Sequence, residues 1–190
     1  YRTRMQAMKT SVSRTFVTID STYRVGFRSL NNNNSVNLKI ANFTGDHKAG
    51  WYGKLFDARP SGGTPLRRAL SDVGRIYAGK GSGTTGADPV QYSCQQNFAL
   101  LTSDGYWNGN GGVDLAGSAI GNEDGSGTPR PYYEGPTASS GSLADVAKYY
   151  YETDLRTSAL GNCTGALSGE NVCTNNVFTS GEDNNSKQHM

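Results

Sequence analysis

Two short runs carry the residues best suited to chemistry: Ser61-Gly62-Gly63-Thr64-Pro65-Leu66, and Leu101-Thr102-Ser103-Asp104-Gly105-Tyr106-Trp107-Asn108. The first places the Thr64 hydroxyl at the start of a helical pattern, where unpaired N–H groups and the helix dipole favour oxygen ligands and anions. The second places the Asp104 carboxylate at the end of an apolar run. A hydroxyl and a carboxylate on two loops suit one shared divalent cation, because Mg²⁺ takes about six oxygens and keeps several of them as water. Two side chains make only a partial shell. Ser103, Asp57, Ser61 and Asp72 lie within a few positions, and none has a spacing that singles it out. Each main candidate also has a purely local role: Thr64 as a helix N-cap worth about 1 kcal/mol, Asp104 as a turn former ahead of Gly105. The pattern points to binding rather than catalysis, and no catalytic residue is assigned.

The enzymatic arrangements are weaker. His47 and His189 are the chain's histidines, and neither stands in a metal-binding or nucleophile pattern. The run Gly79-Lys80-Gly81-Ser82-Gly83-Thr84-Thr85-Gly86 lacks the spacing and the closing Gly-Lys-Ser/Thr of a phosphate loop and follows a helix, so it reads as a linker. Cys163 and Cys173 enclose a loop rich in Gly, Asn and Thr with no histidine, and Cys94 stands apart. A Cys163–Cys173 disulfide is the expected use, with three unpaired thiols as the alternative.

Several elements must position these residues. Met5, Met8, Val12, Phe16 and Ile19 recur at helical spacing and predict a helix from Arg2 to Ile19. Tyr23, Val25 and Phe27 alternate as a strand face, Asn31 to Asn34 break the pattern, and Val36, Leu38 and Ile40 give a second strand of a hairpin. Trp51, Leu55 and Phe56 share a helical face over Asp46 to Ala58, weakened by about 1 kcal/mol each at Gly50 and Gly53. A further helix opens at Pro65 and carries Leu66, Ala69, Leu70, Val73, Ile76 and Tyr77 to Gly79. Phe98 to Leu101 read as a strand buried on both faces over 97–103. Residues 108–141 form a long insertion expected at the surface. Ser142 and Asp145 then make a capping box for a helix with Leu143, Val146, Ala147, Tyr150 and Leu155, followed by a local Asp154–Arg156 ion pair and a Cys-containing loop over 157–186. Helices alternating with strands argue for one α/β domain over residues 1–190, a Rossmann-like open sheet flanked by helices, with ligands at the carboxyl ends of the strands.

Composition agrees with a loop-rich protein: 35% of the 190 residues are hydrophobic and 25 are Gly, so the core must come from a few dense segments. The 18 basic and 16 acidic side chains leave a charge of +2 with no long basic run, which gives no reason to propose nucleic acid. No stretch supplies the roughly twenty apolar residues of a membrane-spanning helix. Low Lys content and the looped cysteine pair lean towards an extracytoplasmic protein.

The chain resembles the von Willebrand factor A-like (vWA) domain of the PilY1/PilC type IV pilus assembly and tip adhesin family. The segments that carry this are Phe43-Thr44-Gly45, Gly50 to Phe56, Gly62 to Leu70, Cys94 to Phe98, Leu101 to Asn108 and Tyr149 to Arg156. In such domains a cation site is built from an Asp-x-Ser-x-Ser strand, a Thr loop and an Asp loop. The resemblance assigns Thr64 to the second and Asp104 to the third, and implies that the first lies upstream and the next core strand downstream of an incomplete domain. It implies a divalent cation (Mg²⁺, Mn²⁺ or Ca²⁺) in the full domain, weakly held or absent in this stretch. It also implies an adhesive, non-enzymatic role towards a host-surface or pilus protein at the cell surface, outer membrane or pilus tip. A secreted vWA module unrelated to pili and a metal-dependent hydrolase using Asp104 are the alternatives.

Overall fold

A computed structural model describes residues 3–31, 37–81, 88–125 and 138–190. The chain is mixed α/β and clusters into two compact units, Tyr1–Pro65 with Thr102–Gly109, and Leu66–Leu101 with Asn110–Met190.

In the first unit, α1 (Arg4–Phe16) starts where the Thr3 hydroxyl accepts from the Gln6 N–H. It stops short of Ile19, with the Lys48 ammonium donating to the carbonyls of Val17 and Ile19 beyond its end. The antiparallel pair β1 (Arg24–Phe27) and β2 (Leu38–Asn42) has Arg24 opposite Asn42 and Phe27 opposite Leu38, with a bulge between Val25 and Phe27. This is the expected hairpin. Asn32 to Asn34 and Val36 lie outside the described residues.

The core of this unit surrounds Trp51 on α2 (Gly45–Asp57). Phe16 stacks on the indole at 4.4 Å, and Phe43 and Phe27 meet it edge-on at 5.4 and 6.1 Å. The indole N–H donates to the Gly26 carbonyl, and the His47 ring nitrogen Nε2 lies 2.7 Å from the Val25 carbonyl, so it donates there. Both groups therefore occupy carbonyls at the bulge. Met8, Val12, Phe16 and Ile19 of the predicted stripe pack here with Val25, Phe27 and Leu38. Tyr23 and Phe56 do not, and both are exposed. Phe56 sits about 100° around the helix from Leu55, which Trp51 at i−4 already places inward.

The second unit is built on α3 (Leu66–Tyr77) against α4 (Leu143–Glu152). Ser142 and Asp145 form the expected capping box. Burial pushes the Asp145 carboxyl up, but the N–H groups of Glu123, Ser142 and Asp124 and the Ser142 hydroxyl outweigh it, holding the carboxyl below its ordinary value. The α3 stripe is shifted from the prediction. Ser71 and Gly74 are buried, whereas Val73 and Ile76 are half-buried, because the Tyr150 ring of α4 lies directly over Gly74. On α4, Lys148 is buried beside Glu152 and Ala147 is exposed, reversing the expected order.

Residues 110–125 contain no helix, and although half of them are exposed, the segment is tied down at several points. The Val113 N–H donates to the Ser71 hydroxyl and the Tyr150 hydroxyl donates to the Val113 carbonyl, while Arg75 donates to the carbonyls of Asp114 and Leu115. Burial raises the Tyr150 phenol above its ordinary value. Residues 126–137, including Pro129, Pro131 and Pro136, lie outside the described residues, as does most of the Gly79–Gly86 linker.

The buried strand expected at 97–103 is not formed. Asn97 is buried, its amide donating to the Gln188 side chain and the His189 carbonyl, but Phe98 and Leu100 are 75% and 69% exposed. A strand buried on both faces needs a neighbour on each edge. Among the described residues no backbone–backbone hydrogen bond reaches 98–103.

Two devices hold the C-terminal part. Cys163 and Cys173 form a disulfide, the Thr164–Asn171 bridge lies inside it, and Val172 is buried beside it. Cys94 is free and exposed. The second device corrects the local Asp154–Arg156 pair: Asp154 accepts the Arg156 backbone N–H, and the guanidinium reaches Asp88 instead. Closing a ten-residue separation by a disulfide is worth about 3 kcal/mol. Replacing Cys163 and Cys173 together by Ala is therefore expected to lower the unfolding free energy of this unit by that amount, read as a fall in its denaturant midpoint. An unchanged midpoint would show that the loop is held without the bond.

Candidate functional site

Thr64 lies two residues before α3, and two asparagines hold its loop. The Thr64 N–H donates to Asn108 Oδ1 at 2.8 Å, and the Asn108 N–H returns to the Thr64 carbonyl at 3.0 Å. From elsewhere in the same unit, Asn31 Nδ2 donates to the carbonyls of Ser61 (2.5 Å) and Gly63 (2.6 Å). The two glycines follow from this arrangement. Gly62 has a φ of 68°, and a Cβ on Gly63 would fall 2.4 Å from Asn108 Oδ1. The Thr64 hydroxyl itself has no hydrogen-bond partner among the described residues, so the N-cap role is not taken up.

Asp104 sits on the second loop, in the same unit. Its carboxylate is 2.6 Å from Arg4 of α1. Both side chains are well exposed, at 83% for Arg4 and 44% for Asp104, so solvent screening limits the pair to about 1 kcal/mol or less. The turn role expected of Asp104 falls to Ser103, whose hydroxyl accepts from the Gly105 N–H at a φ of 104°. Tyr106 and Trp107 follow, exposed at 85% and 51%. Thus the fold brings the Thr64 and Asp104 loops into one unit and stitches them through Asn108. Of the other oxygen candidates, the Ser103 hydroxyl accepts from the Gly105 N–H, Asp72 pairs with Arg68 on α3, and Asp57 ends α2.

The donor set fits a hard cation in kind, since both Thr64 and Asp104 offer oxygen. In number it supplies two of about six positions, and Arg4 already neutralises Asp104. Among the described residues no group of three or more His, Cys, Asp and Glu could hold a metal ion. His47 is engaged by the Val25 carbonyl. His189 places Nδ1 2.7 Å from the Lys187 carbonyl and Nε2 3.7 Å from Asp183, whose carboxyl the Tyr151 hydroxyl holds below its ordinary value.

Asn31, Asn108 and Arg4 drew no role from sequence. The Gly-Gly pair beside Thr64 was the available signal, because paired glycines mark a backbone approached closely by other atoms.

No family model matches the chain, and no solved structure matches it. Among curated proteins it is similar to the type IV pilus biogenesis factor PilY1 of Pseudomonas aeruginosa (strain UCBPP-PA14), with 33% identity over 169 residues and 83% of this chain covered. The same factor from strain PAK is 29% identical over 177 residues, covering 82% of this chain. The chain spans only 14% and 15% of the length of these relatives. No helix among the described residues is long and apolar enough to cross a membrane. The chain is therefore a region related to part of the type IV pilus biogenesis factor PilY1.

Proposed function

We propose that this chain is part of a vWA-like module of a type IV pilus biogenesis factor and adhesin. It lies outside the cytoplasm, at the outer membrane, cell surface or pilus tip, and binds a pilus or host-surface protein. The observation that carries the reading is the similarity to PilY1 across 83% of the chain. It is supported by the two stitched loops, which present the Thr64 hydroxyl, the Asp104 carboxylate and the exposed Tyr106 and Trp107 from one unit. Exposed aromatics on a fixed loop suit a protein partner, since Trp and Tyr dominate binding hot spots. A divalent cation assists, held by Thr64 and Asp104 once Arg4 is displaced, with its remaining oxygens from water and from other parts of the longer protein. In the open sheet of such a module, Phe98 and Leu100 lie along a strand that pairs with a neighbour.

Two measurements test this. In the full-length protein, Asp104→Ala should leave abundance and export unchanged and lower pilus-dependent attachment by about tenfold, the loss typical of a disturbed cation site. Undiminished attachment and piliation would refute the role given to Asp104. The 190-residue chain alone should bind Mg²⁺ and Mn²⁺ more weakly than micromolar by calorimetry. A dissociation constant at or below that range would show that its own residues complete the shell.

A further inference from the structure

We propose that Asn31 and Asn108 are positioning residues, which clamp the backbone of the Thr64 loop and so leave the Thr64 hydroxyl free for an oxygen-seeking divalent cation; the cation clause rests on the function proposed above. A loop of Ser, Gly, Gly, Thr and Pro has little side-chain packing to order it, and fixing each residue costs backbone entropy. The two amides meet that cost in complementary ways. Asn108 uses its acceptor on the Thr64 N–H, and Asn31 uses its donor on the Ser61 and Gly63 carbonyls. The return bond from the Asn108 N–H to the Thr64 carbonyl makes the first contact reciprocal.

The clamp accounts for the loop sequence. A Cβ at Gly63 would meet Asn108 Oδ1 at 2.4 Å, and one at Gly62 would meet the Asn31 amide at 3.3 Å. Gly109, with a φ of 86°, lets the chain turn immediately after Asn108, where a Cβ would approach Pro65 at 3.3 Å. With its backbone held in this way, Thr64 does not need its hydroxyl for capping. Pre-positioned oxygen donors on a rigid frame are what a cation site requires.

The test uses the 190-residue chain, amide hydrogen exchange at Thr64, and line broadening by millimolar Mn²⁺ at Thr64 and Asp104. Asn108→Ala and Asn31→Ala should each raise Thr64 exchange by about tenfold and weaken the broadening. The aromatic near-ultraviolet signal of the Trp51 core should stay unchanged, which separates a local effect from unfolding. Asn108→Asp keeps an acceptor for the Thr64 N–H and should restore the protection that Asn108→Ala removes. Unchanged Thr64 exchange in both alanine variants would overturn the clamp whatever Mn²⁺ does. Raised exchange, together with a wild-type chain that shows no broadening, would support the clamp and overturn a Thr64 and Asp104 cation site within these 190 residues.

Discussion

Replacing Arg156 by Met is expected to destabilise the Leu66–Leu101 and Asn110–Met190 unit by about 3–5 kcal/mol, the cost of removing one partner from a buried ion pair. The Arg156 side chain is 1% exposed, and its donors are matched in several directions. Nε donates to the Tyr77 carbonyl at 2.8 Å, Nη1 to Asp88 Oδ2 at 2.8 Å and the Asn162 carbonyl at 3.1 Å, and Nη2 to Asp88 Oδ1 at 2.5 Å. Met fills similar volume but takes the guanidinium from the Asp88 carboxylate, which keeps the Val90 N–H, and from the Tyr77 and Asn162 carbonyls. Desolvation of those groups, rather than lost packing, sets the size of the effect. Lys should rescue little, because an ammonium cannot make the two parallel bonds of the guanidinium fork. Urea denaturation of the variants measures this. A loss under about 1 kcal/mol would mean that Asp88 rehydrates freely and that the pair is not a structural node.

Gly74→Ala should also destabilise this unit, although Ala is the better helix former by about 1 kcal/mol. The new Cβ would lie 2.2, 2.4 and 2.6 Å from three carbons of the Tyr150 ring. That ring cannot swing aside easily. It is fully buried, its hydroxyl is bonded to the Val113 carbonyl, and Tyr149 packs edge-on at 5.0 Å. Overpacking costs about 1–3 kcal/mol and here falls at the upper end, so the net loss should be about 2 kcal/mol. Gly74→Val should lose more. In a double-mutant cycle, Gly74→Ala should become neutral or stabilising on a Tyr150→Ala background, where helix propensity alone remains. An additive cycle would show that the close approach of ring and helix is not what requires glycine.

The comparison of Gly74 with Phe98 shows where sequence reasoning stops. The α3 helix was legible from its 3.6-residue apolar period, but that period includes Val73 and Ile76 and omits Gly74, because a glycine carries no hydrophobic signal. Only the Tyr150 ring arriving from α4 leaves no room for a side chain at Gly74. Phe98 and Leu100 carry a strong strand signal, yet their exposure depends on whether a neighbour pairs with them. No local pattern contains that information.

The candidate site divides in the same way. Thr64 and Asp104 stood out in the sequence as candidate oxygen donors because hydroxyl and carboxylate chemistry belongs to the residue itself. The sequence alone also determined the α4 capping box, the β1–β2 hairpin, and the Cys163–Cys173 loop, all of which arise from residues close together in the chain. Tertiary structure decided which partners those residues take: Arg4 against Asp104, Asn108 against Thr64 across 44 residues, and Arg156 against Asp88 across 68 rather than Asp154 beside it. The physical reason is that propensity, periodicity and capping act within a few residues, whereas a buried donor takes whichever acceptor the packed chain brings within about 3 Å.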